Sequence, residues 1–135
     1  RKVMGVFSVI IAALGCFAAG AAWYMTLSKA WIAAVGIQVD AEGKPQGAGS
    51  ATPFIIGFVA ALLLSGMMRH VFATAGIDTA AKGLVSGLGV GVFILGPWLC
   101  MNYAYAQRPR MLMLIDGGYA VLGPAVAGLI LGIVA

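Results

Sequence analysis

Four long apolar runs separated by short polar breaks set the pattern of this chain. Val3 to Ser28 carries no charge over about 25 residues, more than the roughly 20 an α-helix needs to cross a bilayer. A second run opens at Pro53, which suits the first turn of a helix, and stays uncharged until Arg69 and His70. Two more runs follow, from Gly83 to Ala106 and from Met111 to Val134. The predicted spans are 3–27, 53–73, 83–106 and 111–134. The breaks are equally legible. Lys29 to Ile37 is short and amphipathic, with Trp31, and is expected in the membrane interface. Gln38 to Ser50 turns to Asp, Glu, Lys, Pro, Gly and Ser, an aqueous loop. Ala75 to Lys82 and Gln107 to Arg110 read as tight polar turns.

Two short loops and one longer one joining four spans predict an all-α integral membrane four-helix bundle. Its topology is up-down-up-down, with an interfacial segment after the first helix and a single transmembrane domain over residues 1–135. A cationic start, an apolar run and small residues also describe a signal peptide. The first run is too long for a signal-peptide core and three spans follow it, so it is read as a retained helix. An opening Arg1 in place of methionine leaves room for residues ahead of it.

Small residues recur where helices are expected to meet. Ala12, Cys16 and Gly20 lie four apart on the first span, and Trp23 and Tyr24 follow one turn beyond Gly20. Gly83, Gly87 and Gly91 form two overlapping GxxxG units on the third span, and Gly128 and Gly132 a further one on the fourth. Such ridges let backbones approach closely, within one chain or between copies. Gly96-Pro97 is expected to kink the third span near its middle, because proline removes a backbone donor.

Composition narrows the class. Of 135 residues, 62% are hydrophobic and 9% charged, far from the balance of a soluble domain, so lipid is the expected solvent. The net charge of +4 is spread along the chain, without the clustered basic face of a nucleic-acid binder. Cys16 and Cys100 stand apart in apolar runs, and there is a single histidine. Neither a zinc site nor a pair of axial histidines is available, and no metal or cofactor is expected. Arg69 and His70 are read as snorkelling to headgroups. Lysine and arginine divide evenly between the two sides, so orientation is undetermined.

The one carboxylate inside the apolar runs is Asp116. Topological parity puts the ends of spans one and three and the start of span four at one membrane face. At about 1.5 Å per residue, Trp23, Tyr24, Asn102, Tyr103 and Asp116 then share a depth of roughly 5 to 10 Å, with Tyr119 one turn beyond. A carboxylate there must find donors, find a cation or take up a proton. Lys29, Arg108 and Arg110 are the cations on its side. Two structural accounts compete with a binding role. Asp116 precedes Gly117 and Gly118, so it could cap a helix whose roughly 19 remaining residues still span. The tyrosines and tryptophans could form an aromatic belt.

Gly20-Ala-Ala-Trp23-Tyr24, Lys29-Ala30-Trp31, Gly83-Leu84, Arg108-Pro109 and Ile115-Asp116-Gly-Gly-Tyr119 ahead of a glycine-rich last helix resemble the DUF1761 family. The family consists of small bacterial four-span membrane proteins of uncharacterised function. The resemblance implies the four-span architecture and a bacterial inner-membrane location, and it supplies no activity. Met25 to Ser28 depart from the family's usual glycine and phenylalanine between the WY and KAW elements.

Two function classes follow. The favoured one is a non-catalytic packing or accessory subunit, or a homo-oligomeric module, using the glycine ridges. The alternative is a proton-linked small-solute transporter or binding protein centred on Asp116, and few spans make that alternative a dimer or larger. A lipid-modifying enzyme would need a nucleophile-base or metal constellation that the sequence does not display.

Overall fold

Uncharged runs of this length satisfy their backbone groups in lipid only as helices, and the chain forms them in order. They are α1 Lys2–Thr26, α2 Ser28–Val35, α3 Thr52–Ala75, α4 Ala80–Val90, a π-helical turn Gly91–Leu95, α5 Gly96–Tyr105 and α6 Arg110–Val134. The computed structural model describes residues 2–45 and 49–135, with side chains of α1 from residue 5 onward. The charges of Arg1 and Lys2 and residues 46–48 of the first loop therefore lie outside the described residues. Four helices are long and apolar enough to cross a membrane: α1, α3, the α4–π–α5 unit and α6. Among the described residues there is no strand, and the loop after α2 closes on an isolated bridge between Val39 and Pro45.

Local chemistry places the breaks. Leu27 leaves helical geometry (φ −105°, ψ 17°) and divides α1 from the interfacial α2, which ends at Gly36 in the left-handed region (φ 81°). The third span begins at Ala80, three residues earlier than expected. Thr79 is extended and its hydroxyl accepts from the Lys82 N–H at 3.1 Å, so Ala80–Lys82 join the helix as its first turn. The anticipated disturbance at Gly96-Pro97 takes the form of the π turn just before it. There the Gly96 N–H reaches back five residues to the Gly91 carbonyl. Widening the turn ahead of a ring that lacks an N–H accommodates Pro97 without ending the span.

The fourth span organises the bundle. α6 packs on α1, α3, the whole third span and α2, while α3 lies against α1 and α6. α3 and the third span are not packed along one another, so the bundle keeps one open seam. The closest seam is α4 on α6. A Cβ on Gly83 would overlap the Gly128 carbonyl oxygen, and one on Gly128 would overlap that of Gly83. Gly87 meets Pro124 and Ala125 in the same way, and Gly132 meets the Thr79 carbonyl. Such approach brings Cα hydrogens against carbonyls, which is how helices gain contact in a solvent as apolar as their side chains. Pro124, buried inside α6, has no N–H to give the Ala120 carbonyl. That carbonyl oxygen lies 2.8 Å from the position a Gly91 Cβ would occupy.

The glycine rows of the third and fourth spans are thus consumed by each other. Gly87→Leu is expected to lower the stability of the single chain by about 1–3 kcal/mol through overpacking. Particle size should stay unchanged. A thermal melt with light scattering in detergent checks this, and an unaltered melting temperature would mean that the two backbones are not in contact.

Candidate functional site

Tyr24 closes α1, Trp31 lies seven residues later on α2, Tyr103 is near the end of α5, and Asp116 is in the second turn of α6. Their side chains converge on the carboxylate. The Tyr24 hydroxyl donates to Asp116 Oδ1 at 2.6 Å, the Trp31 indole N–H donates to the same oxygen at 3.1 Å, and the Tyr103 hydroxyl donates to Oδ2 at 2.5 Å. Three elements other than its own are tied to one side chain. Hydrogen bonds to a carboxylate are worth about 1.5–3 kcal/mol each, and all three here come from neutral donors.

The sequence expectations divide on these contacts. Of the predicted cluster, Tyr24, Tyr103 and Asp116 meet directly. Trp23 sits beside them, donating its indole N–H to the Ile115 carbonyl at 2.8 Å while its ring covers Gly118, where a Cβ would collide with it. Tyr119 faces the other way. Its hydroxyl donates to the Cys16 carbonyl at 2.8 Å and lies 3.5 Å from the Cys16 sulfur, and its ring packs edge-to-face on Tyr24 at 5.6 Å. Gly20 makes this possible, because a Cβ there would stand 2.7 Å from the Tyr119 hydroxyl. Asn102 does not belong. It precedes Tyr103 by one position, which turns it about 100° around the helix, to an exposed place.

Two further expectations are corrected. The N-cap of α6 is Pro109 (φ −60°, ψ 146°), so Asp116 is not a cap and Gly117 and Gly118 are interior. Nor does a cation reach the carboxylate. Among the described residues the one ion pair is Lys82–Asp78 on the opposite side, and Arg108 donates instead to the Val35 carbonyl at the end of α2, at 3.3 Å. Trp31 was absent from the expected cluster. Its signal was the seven-residue spacing from Tyr24, two helical turns, which keeps one face across the Leu27 break.

Beside this hub lies a cleft of about 590 Å³ between α1, α3 and α6, with Leu95 of the π turn on its far lip. It coincides with the open seam between the second and third spans. Phe17, Tyr24, Trp31, Phe54 and Tyr119 line it together with small residues such as Gly57, Ala61 and Gly123. The rings form two edge-to-face rows. Trp31, Tyr24 and Tyr119 make one, and Phe54 and Phe17 the other, with Phe58 packed on Phe17 outside the lining. Asp116 stands one hydrogen bond behind the Tyr24 and Trp31 wall. Since both tyrosine hydroxyls have given their protons away, they face a ligand as acceptors. Among the described residues, no group of three or more His, Cys, Asp or Glu side chains comes together to hold a metal ion.

Fold and site define a small multi-pass membrane protein with a carboxylate hub at one end of its helices. The sequence profile of the protein of unknown function DUF1761 matches residues 7–132, so the chain belongs to the DUF1761 family. The segments Trp23-Tyr24, Trp31 and Ile115 to Tyr119 supply Asp116 and two of its three donors, and Tyr103 supplies the third. No curated protein and no solved structure matches the chain.

Trp31→Phe keeps the ring and deletes its donor. It is expected to cost about 1–3 kcal/mol and to speed amide exchange across residues 28–35, read by hydrogen-exchange mass spectrometry. Exchange equal to that of the parent protein would mean that α2 is held by lipid rather than by Asp116.

Proposed function

We propose that the protein is a non-catalytic membrane module that binds a lipophilic cation in the aromatic cleft. The ligand enters from the bilayer through the seam between α3 and the third span. The observation that carries the reading is a carboxylate held by three neutral donors, with no protein cation beside it among the described residues, directly behind an aromatic wall. Aromatic faces attract cations, and the negative charge behind them adds to that attraction. A cleft of about 590 Å³ lies in the usual range for a small-molecule site. The acceptor-only hydroxyls of Tyr24 and Tyr119 favour a donor-bearing or positively charged group over a carbonyl.

The isosteric pair tetraphenylphosphonium and tetraphenylborate tests this by equilibrium dialysis in mild detergent. The cation should be retained and the anion not. A unit charge about 6 Å from a carboxylate, at an effective dielectric of 20, is worth about 3 kcal/mol. Asp116→Asn should therefore weaken cation binding roughly tenfold to a hundredfold. Equal retention of the two ions, or a variant that binds the cation as before, would sink the reading.

The open seam also supports a second reading, in which a helix of another chain fills the cleft and the protein serves as an accessory subunit or a homo-oligomer. The glycine ridges support it less, being engaged within the chain. Native mass spectrometry of protein taken from its own membrane separates the two readings. Co-isolation with a defined complex in which tetraphenylphosphonium no longer binds would favour the subunit.

A further inference from the structure

At the end of the bundle away from Asp116, α1 and α3 diverge around a second groove of about 550 Å³. Its walls are Val6, Val9 and Ile10 on one side and Leu62 and Gly66 on the other, and Arg69 and His70 stand at its mouth. Arg69 is half-buried rather than extended to the surface, and its guanidinium occupies the space that a side chain at Gly5 would fill. A Cβ there would lie 2.6 Å from one Nη and 2.7 Å from Cζ. Glycine at position 5 is what admits the guanidinium between the helices.

Among the described residues the Arg69 guanidinium has no protein acceptor. A guanidinium carries five N–H donors in a planar fork. Among the described residues no carboxylate pairs with it: Asp78 is engaged by Lys82, and Asp116 lies at the other end of the bundle. The carbonyl oxygen of Gly5, on the adjoining turn, accepts the Ser8 hydroxyl at 2.7 Å. Yet the guanidinium nitrogens are not sealed in. The buried polar atom without a partner among the described residues is the Ser65 hydroxyl, not an Arg69 nitrogen. The donors are therefore open to the groove.

We infer that this groove binds an anionic phospholipid, with Arg69 forking onto the phosphate, His70 at its edge and one acyl chain lying along Val6, Val9, Leu62 and Gly66. Depth supports the assignment. Arg69 precedes the end of α3 by six residues, about 9 Å at 1.5 Å per residue, the boundary between headgroup and hydrocarbon. From Arg69 to Leu62 the groove then descends about 10 Å into the apolar layer, as a chain attached to that phosphate would. A free phosphate would use the fork and leave the apolar walls unused. A zwitterionic lipid brings a choline or ethanolamine cation next to Arg69 and His70.

Native mass spectrometry of the whole protein in detergent, with phosphatidylglycerol and phosphatidylcholine of identical chains added in equal amounts, tests the inference. Phosphatidylglycerol should be retained about tenfold better, as for a charge-assisted pair. Arg69→Gln, which removes an unpaired charge and so spares the fold, should abolish that preference. Arg69→Lys should keep part of it, because charge remains and the fork is lost. Gly66→Leu fills the groove where a Cβ meets nothing closer than a Val9 methyl at 4.0 Å, and should reduce retention of both lipids with Arg69 intact. Equal retention of the two lipids by the parent protein, or an undiminished preference in Arg69→Gln, overturns the inference. So does competition by millimolar inorganic phosphate with no contribution from the chains, which would make this a phosphate site.

Discussion

Helices in lipid have no hydrophobic force pressing them together, so everything in this protein depends on how closely backbones approach α6. Pro124, Ala125, Gly128 and Gly132 present one small-residue face, buried along its length. α4 lies on it with carbonyl oxygens where side chains would otherwise stand. Pro124 belongs to this logic. The carbonyl it leaves without an amide partner is turned toward Gly91, so a defect in one helix lies against the least obstructive residue of the other.

The other half of α6 works by polarity. Six residues from its start, a carboxylate gathers a tyrosine from the first span, a tryptophan from the interfacial helix and a tyrosine from the third span. Such a hub is directional where packing is not. It sets the position of α2, which has no buried residue of its own, and it orients the aromatic wall of the cleft. Gly118 and Gly20 serve the same arrangement by making room for the Trp23 and Tyr119 rings.

These two modes of attachment leave the bundle asymmetric. α3 is held by α1 and by part of α6, and the third span is held by α6, but the two are not closed upon each other. The aromatic cleft occupies that gap. A second groove, at the opposite end, opens between α1 and α3 around Arg69. Both concave features therefore border α3, the span with the fewest close contacts to its neighbours.

The number of spans, their approximate limits, the interfacial segment and the shared depth of Trp23, Tyr24, Tyr103 and Asp116 were legible in the sequence. They follow from hydropathy, helix rise and the parity of crossings. Rotation about each helix axis was not legible, because it depends on which faces meet. That is why Asn102, adjacent to Tyr103 and at the same depth, faces outward, while Trp31 turns inward across a break in the helix. Whether the glycine ridges pack within the chain or between chains was likewise undetermined, since GxxxG specifies a close approach and not a partner. Only the tertiary structure decided that Asp116 is met by neutral donors instead of Lys29, Arg108 or Arg110. The cations had the right depth, but tyrosine and tryptophan had the right depth and the right face.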